Sequence, residues 1–238
     1  MTAIPDGPRV AAIRTFVFDV LGTVVDEAGS LRAEARTALT TAGADAGHAD
    51  DLVAAWLLRH DELLAEVRSG AAAWQPNSAL RRVALSQAIA GFGDLPDLVF
   101  EGLAMAGYRL QPWADSAAAL HRLRAHCTVV ALSNATLAEL ASMSAGGDLA
   151  WHCVLSGELV RAYKPDPAVY RLALDRLELD PGHAMMVAAH PWDLRAAAGH
   201  GMRTAYIERP GEAAPQPGDA FDLTVADLGE LAAIVARG

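Results

Sequence analysis

Residues 13–26 read Ile-Arg-Thr-Phe-Val-Phe-Asp-Val-Leu-Gly-Thr-Val-Val-Asp, and this stretch decides the fold. The run from Ile13 to Val20 is short, continuous and β-rich, the pattern of a strand buried on both faces. It carries Asp19 at its end, followed by Leu21-Gly22-Thr23. Open parallel sheets bind ligands beyond the carboxyl ends of their strands, so a carboxylate and a glycine placed there mark a candidate site.

Downstream the texture changes twice. Residues 31–42, 49–68, 78–90 and 98–107 read as helices in succession, separated by Gly/Pro punctuation such as Gln75-Pro76 and Gly91-Phe92-Gly93-Asp94. No strand candidate interrupts them, so this segment reads as an all-helical insert. From Pro112 onward, helices and strands alternate. Helices over 115–125, 136–144, 167–177 and 192–201 precede strands over 127–132, 153–155, 184–188 and 204–207. A last strand at 223–225 leads into a helix over 228–236. Repeated helix–strand alternation implies parallel βα units and an α/β fold with a doubly wound parallel sheet. The proline-rich segment 210–219 reads as a loop.

Composition narrows the function classes. Among 238 residues, 53% are hydrophobic and 20% charged, enough for a sizeable core. A formal charge of −10 argues against a nucleic-acid or anionic-membrane partner. No apolar run reaches the roughly 20 residues of a membrane span. The N-terminus lacks the charged-then-apolar pattern of a secretory signal, so a cytoplasmic protein is expected, with Cys127 and Cys153 as reduced core residues and a disulfide as the lesser alternative. The cations are uneven: 18 arginines and a single lysine, Lys164.

Four groups fall at strand ends or just after them: Asp19, Ser133-Asn134, Lys164 and Asp193. Their surroundings read FDVLGTVVD (18–26), ALSNA (131–135), AYKPDPAVY (162–170) and VAAHPWD (187–193). In this order they resemble the haloacid dehalogenase superfamily over nearly the whole chain. The resemblance implies a Rossmann-like core, residues 1–27 and 110–238, and a helical cap domain, residues 28–109.

Departures from the superfamily pattern separate its two chemistries. Its phosphatases carry a general acid two residues after the nucleophile, where this chain has Leu21, and a magnesium-binding acid where it has Ala189. The chain therefore most resembles the metal-free branch, the (S)-2-haloacid dehalogenases. A halide departs without a proton, so Leu21 is permissible there. The resemblance makes Asp19 the nucleophile that forms an aspartyl ester. It makes Thr23 its hydrogen-bonding partner, Ser133 and Asn134 the binders of the substrate carboxylate, Lys164 the charge beside Asp19, and Asp193 the holder of that lysine. Tyr170, Trp192 and Leu21 are expected beside the substrate, Trp192 as a wall of the pocket that helps exclude water. His190 replaces an asparagine that positions water, and an imidazole could serve there as a base. No cofactor is implied, and a homodimer is expected.

One further departure touches the leaving group. The branch has an arginine directly after a cap tryptophan; here Leu57 follows Trp56. Arg59 lies about 200° around the helix from position 57, whereas His60 shares roughly the same face. Trp56 and His60 are thus candidates to reach substrate. Plainer readings stand beside these: Asp19 as a turn residue, Lys164 as a solvated lysine, Ser133-Asn134 as a helix cap, His190 as an ordinary loop histidine. Two other functions stay open, a magnesium-dependent phosphatase and a catalytically weak binder of small carboxylates.

Overall fold

The computed structural model describes residues 10, 12–92 and 95–237. Residues 1–9 and Gly93-Asp94, part of the expected punctuation after the third helix, lie outside the described residues. Strand β1 (Thr15–Phe18) and a short β2 (Val25–Asp26) lead into helices α1 (Glu27–Thr41), α2 (Ala49–Arg68), α3 (Asn77–Ile89) and α4 (Asp97–Ala104). The chain then runs through β3 (Gln111–Pro112), α5 (Ser116–Arg124), β4 (Thr128–Ser133), α6 (Leu137–Gly146), β5 (Cys153–Ser156) and α7 (Pro167–Arg176). It ends with β6 (Ala184–Ala188), α8 (Pro191–Ala198), β7 (Arg203–Ile207), β8 (Leu223–Val225) and α9 (Leu228–Val235).

Six strands form one parallel sheet in the order β5-β4-β1-β6-β7-β8. The apolar run around β1 explains why it sits in the centre. Successive side chains point to opposite faces. Phe16 and Phe18 join Val129, Ala131, Met185 and Val187 in one core. Val17 joins Val130, Leu132, Met186 and Ala188 in a second core on the other face. Burying each such side chain stabilises the fold by roughly 1.5–3 kcal/mol. The first core continues into the helical insert through Leu31, Leu52, Trp56 and Leu85.

The order places a topological switch at β1. After β1 the chain builds outward on one side through β4 and β5, then returns to build β6, β7 and β8 on the other. The crevice beyond the carboxyl end of β1 is where such a sheet takes its ligand.

Entry to and exit from the insert are pinned together. Val25 pairs antiparallel with Pro112 and Asp26 with Gln111, and the Ser30 hydroxyl accepts from the Gln111 N–H at 2.8 Å. Sequence patterning did not anticipate this ladder, because two residues per strand carry no periodicity. The first helix begins at Glu27, four residues before the expected start, because the Asp26 carboxylate caps it by accepting from Gly29 N at 2.8 Å.

Candidate active site

The turn after β1 is shaped by glycine. Gly22 has φ +75°, a conformation that L side chains rarely adopt. The turn folds back so that the Thr23 hydroxyl donates to Asp19 Oδ2 at 2.8 Å while accepting from the Ala189 N–H at 2.9 Å. Arg209, just past β7, braces it from below: Nε donates to Thr23 O at 2.9 Å, and Nη1 and Nη2 fork onto the Asp115 carboxylate at 2.9 and 3.0 Å.

Lys164 lies in the loop after β5 and is buried between two carboxylates. Its Nζ is 2.9 Å from Asp19 Oδ1 and 2.7 Å from Asp193 Oδ2. The loop is held where the Lys164 N–H donates to Asn134 Oδ1 at 2.8 Å. That bond turns the Asn134 amide so that its NH₂ is the group left to donate elsewhere. Ser133, at the end of β4, is fully buried and its Oγ accepts from Ala135 N at 3.2 Å. Neither residue caps the following helix: Thr136 does, in a reciprocal capping box with Glu139.

His190 and Asp193 follow β6. His190 Nδ1 is 2.8 Å from Asp19 Oδ2, so Oδ2 has two donors and Oδ1 one. Tyr170 donates to Asp193 Oδ1 at 2.6 Å. It stands behind Asp193, fully buried, with its ring stacked on His200, so the expectation of a substrate contact is corrected to a support for that carboxylate. Trp192 lies 5.6 Å ring to ring from His190 and is 39% exposed.

The charges follow from burial and these partners. Burial alone would raise Asp19, but the Lys164 ammonium and the His190 bond hold it well below the usual carboxylate range. Burial likewise lowers Lys164, and Asp19 and Asp193 outweigh it, so the amine stays charged. Burial and nearby Asp19 push Asp193 up, against the pull of Lys164 and Tyr170. Burial and Asp193 push the Tyr170 phenol far up, keeping its proton. Burial lowers His190 too, yet its bonds to Asp19 and Glu212 push it up to about 10. The resting imidazole is therefore a cation. This corrects the expectation of a base that titrates near neutrality.

The cap residues are placed differently from expectation. Trp56 is fully buried and donates from Nε1 to Arg81 O at 2.7 Å, tying α2 to α3. His60 is buried at 2.7–3.2 Å hydrogen-bonding range from Asn77, with Nε2 3.0 Å from Oδ1. Burial and the Arg81 charge push it down to about 3, so it is neutral. Both residues lie on the face of α2 that meets α3, four residues apart and one turn along. Neither Trp56 nor His60 thus reaches substrate, and His60 does not supply the charge missing at Leu57. Arg59 is paired with Glu62 and Glu66 on the outside. Buried Arg81 lies 2.6 Å from Glu27 and 3.8 Å from Glu139, so its charge is already matched. Leu57 and Leu21 are half-buried against the first core.

A magnesium ion does not fit these residues. It needs near-octahedral oxygen ligands at 2.0–2.1 Å. Every carboxylate oxygen of Asp19 and Asp193 already accepts from Lys164, Thr23, His190 or Tyr170, and Leu21 and Ala189 offer no side-chain oxygen.

Sequence reasoning missed Glu212. Its Oε2 is 3.1 Å from His190 Nε2, opposite the bond to Asp19. The available signal was an acid five residues past β7, on the same edge of the sheet as the other site groups.

An aspartate held as an anion by a lysine thus stands at the switch point of the sheet, and comparison with known proteins gives its class. The model of the haloacid dehalogenase-like hydrolases matches residues 13–201, and the chain belongs to that family. Within it, the chain is 30% identical to (S)-2-haloacid dehalogenase 1 of a Pseudomonas species (strain CBS-3), over 83% of this chain and 85% of that one. Its structure is similar to that of the L-2-haloacid dehalogenase PA0810, with TM-score 0.88, 32% identity and coverage of 95% of this chain and 100% of that one. It is also similar to the defluorinating L-2-haloacid dehalogenase Rha0230, with TM-score 0.87, 29% identity and coverage of 94% and 95%.

Proposed function

We propose that this protein hydrolyses the carbon–halogen bond of a small 2-haloalkanoic acid through an ester on Asp19, without a metal ion. One observation carries the reading. Asp19 is a buried anion on an ammonium, with leucine where an acid for the leaving group would stand. Such a site suits a leaving group that departs without a proton.

The bonding divides the work between the two oxygens. Oδ1 accepts one bond and keeps a lone pair to attack the carbon that bears the halogen. The C–O bond forms as the C–X bond breaks, and the halide leaves with the electron pair. Oδ2, with two donors, becomes the ester carbonyl oxygen. Ser133 and the Asn134 amide bind the substrate carboxylate. Water then adds to Cγ of Asp19. Charge growing on Oδ2 meets the Thr23 hydroxyl and the His190 N–H, already in place. Breaking the Cγ–Oδ1 bond releases a 2-hydroxy acid, and one proton passes to solvent.

A cavity of about 390 Å³ lies beside the Lys164 loop, lined in part by Arg68, Trp74, Arg161, Tyr163 and Asp166. Its two arginines against one aspartate suit the approach of an anion. The reading takes residues 1–27 and 110–238 as core and 28–109 as cap, a division that the β2–β3 ladder supports. It also carries the expectation of a cytoplasmic homodimer, which sedimentation and localisation would test.

The deciding experiment is halide release from a panel of 2-haloacids with EDTA present. EDTA-resistant release, abolished by Asp19→Asn, is expected. Magnesium-dependent cleavage of a chromogenic phosphate would establish the phosphatase instead. Silence in both assays, with carboxylate binding by calorimetry, would establish a binding protein.

A further inference from the structure

Three side chains from separate elements form a line across the site: Asp19 beyond β1, His190 beyond β6 and Glu212 beyond β7. His190 Nδ1 is 2.8 Å from Asp19 Oδ2, and Nε2 is 3.1 Å from Glu212 Oε2. Two features place Glu212. Arg209 anchors the loop to Thr23 and Asp115, and Glu212 N donates back to Arg209 O at 3.2 Å across Gly211 at φ +85°. Gly22 makes room, since a Cβ there would lie 2.6 Å from Glu212 Oε1 and 3.0 Å from His190 Cε1. A side chain at residue 22 would therefore push the Glu212 carboxylate off its present place beside His190.

We propose that Glu212 is a positioning residue for the second half-reaction, holding His190 protonated and aimed at Oδ2 of Asp19 while the ester is hydrolysed. The step rests on the dehalogenase reading. Esterification of Asp19 removes its negative charge. Without Glu212, the imidazolium would then be left largely buried with no carboxylate partner, and such a cation sheds its proton. With Glu212, it persists. As the water oxygen bonds to Cγ, the carbonyl π pair moves onto Oδ2 and meets an N–H that carries full charge rather than a neutral one. The electron pair returns as the Cγ–Oδ1 bond breaks, and the departing alkoxide takes a proton from the added water.

The other charges facing His190 do not replace Glu212. Lys164, bonded to the other oxygen of Asp19, is a cation and disfavours an imidazolium. Asp61, on α2, lies within electrostatic reach of His190 but also of Arg68, and is pushed up by burial and by Glu27. Trp192 lies tilted beside the ring and does not titrate. Burial lowers His190, and the bonds to Asp19 and Glu212 together raise it to about 10.

The test uses Glu212→Gln, which keeps shape and removes charge, with 2-chloropropionate as the substrate probe. Without substrate, ¹⁵N NMR of the imidazole should show the His190 midpoint falling by at least one pH unit in the variant. With substrate, rapid quench should show ester formation within about threefold of the parent and ester hydrolysis slowed at least tenfold. The ester should accumulate as added mass on the Asp19 peptide. His190→Asn, which keeps a neutral donor, should slow the same step. Glu212→Gln in that background should slow it little further. An unchanged His190 midpoint, equal slowing of both half-reactions, or additive slowing in the double variant would overturn the assignment while leaving the dehalogenase reading intact. A parent protein that releases no halide would overturn that reading, and this step with it.

Discussion

Replacing Lys164 by methionine tests the electrostatic heart of the site. Methionine is about as long as lysine and fills the channel, so the change removes charge more than volume. The ammonium sits 2.9 Å from Asp19 Oδ1 and is 1% exposed. At an effective dielectric of about 20, a pair at that distance is worth about 6 kcal/mol, or about four pKa units. Losing it leaves the Thr23 and His190 bonds to Oδ2 as the opposition to burial and Asp193, and raises the Asp19 carboxyl by about four units, from far below the usual range to its upper end. Halide release should therefore develop an acid limb between about pH 6 and pH 4 that the parent lacks. Activity lost at pH 4 should return as pH rises to 7. Lys164→Arg should instead fail at every pH, with a flat profile. Its charge is kept, but a planar fork does not fit where a single nitrogen lies 2.7–2.9 Å from both carboxylates. Circular dichroism would establish that each variant is folded. A Lys164→Met enzyme whose profile from pH 7 to pH 4 matches the parent's, or one that is inactive with no pH dependence, would refute the reasoning.

Three further outcomes are expected. His60 is neutral in the fold with its pKa pushed down to about 3, against about 6.5 when unfolded, so the unfolded chain binds more protons between those values. Its share of stability is full above pH 6.5 and drains away as pH falls toward 3, by about 5 kcal/mol in total. Urea midpoints measured from pH 7 to pH 4 should thus fall less steeply in His60→Gln than in the parent. Gly22→Ala should cost about 1–2 kcal/mol for the left-handed backbone alone, and should lower kcat more than it raises KM because its Cβ displaces Glu212; melting and steady-state kinetics check both. Arg209→Ala strands the Asp115 carboxylate and unbraces the Thr23 turn, so a loss of about 3–5 kcal/mol is expected by urea titration.

Much of the architecture was readable because it depends on runs long enough to carry a period. The helix over 49–68 and the strands over 184–188 and 223–225 have the bounds expected of them. The convergence of Asp19, Ser133-Asn134, Lys164 and Asp193 was readable for another reason: in a parallel sheet, position at or just past a strand's carboxyl end is also position in space, whereas His190 came from the family resemblance. Orientation within the cap was not readable. A helical wheel puts Trp56 and His60 on one stripe, but it does not say whether that stripe faces the cleft or α3, and here it faces α3. Tyr170 was placed near the site but one carboxylate too close, since distance along α7 does not reveal that Asp193 intervenes. Glu212 sits in a Pro/Gly loop, where no periodicity marks the residues that turn inward. Its role depends on the absence of a side chain at Gly22, nearly two hundred residues earlier in the chain.

The central claim is that Asp19 itself carries the substrate as an ester that water opens at Cγ. A single turnover in H₂¹⁸O with enzyme in excess over 2-chloropropionate tests it most directly, read by mass spectrometry of the Asp19 peptide and of the hydroxy acid. The account predicts ¹⁸O in the Asp19 carboxylate and none in the product of that first turnover. Label in the product, with Asp19 unlabelled, would mean that water attacks the substrate carbon itself and would contradict it.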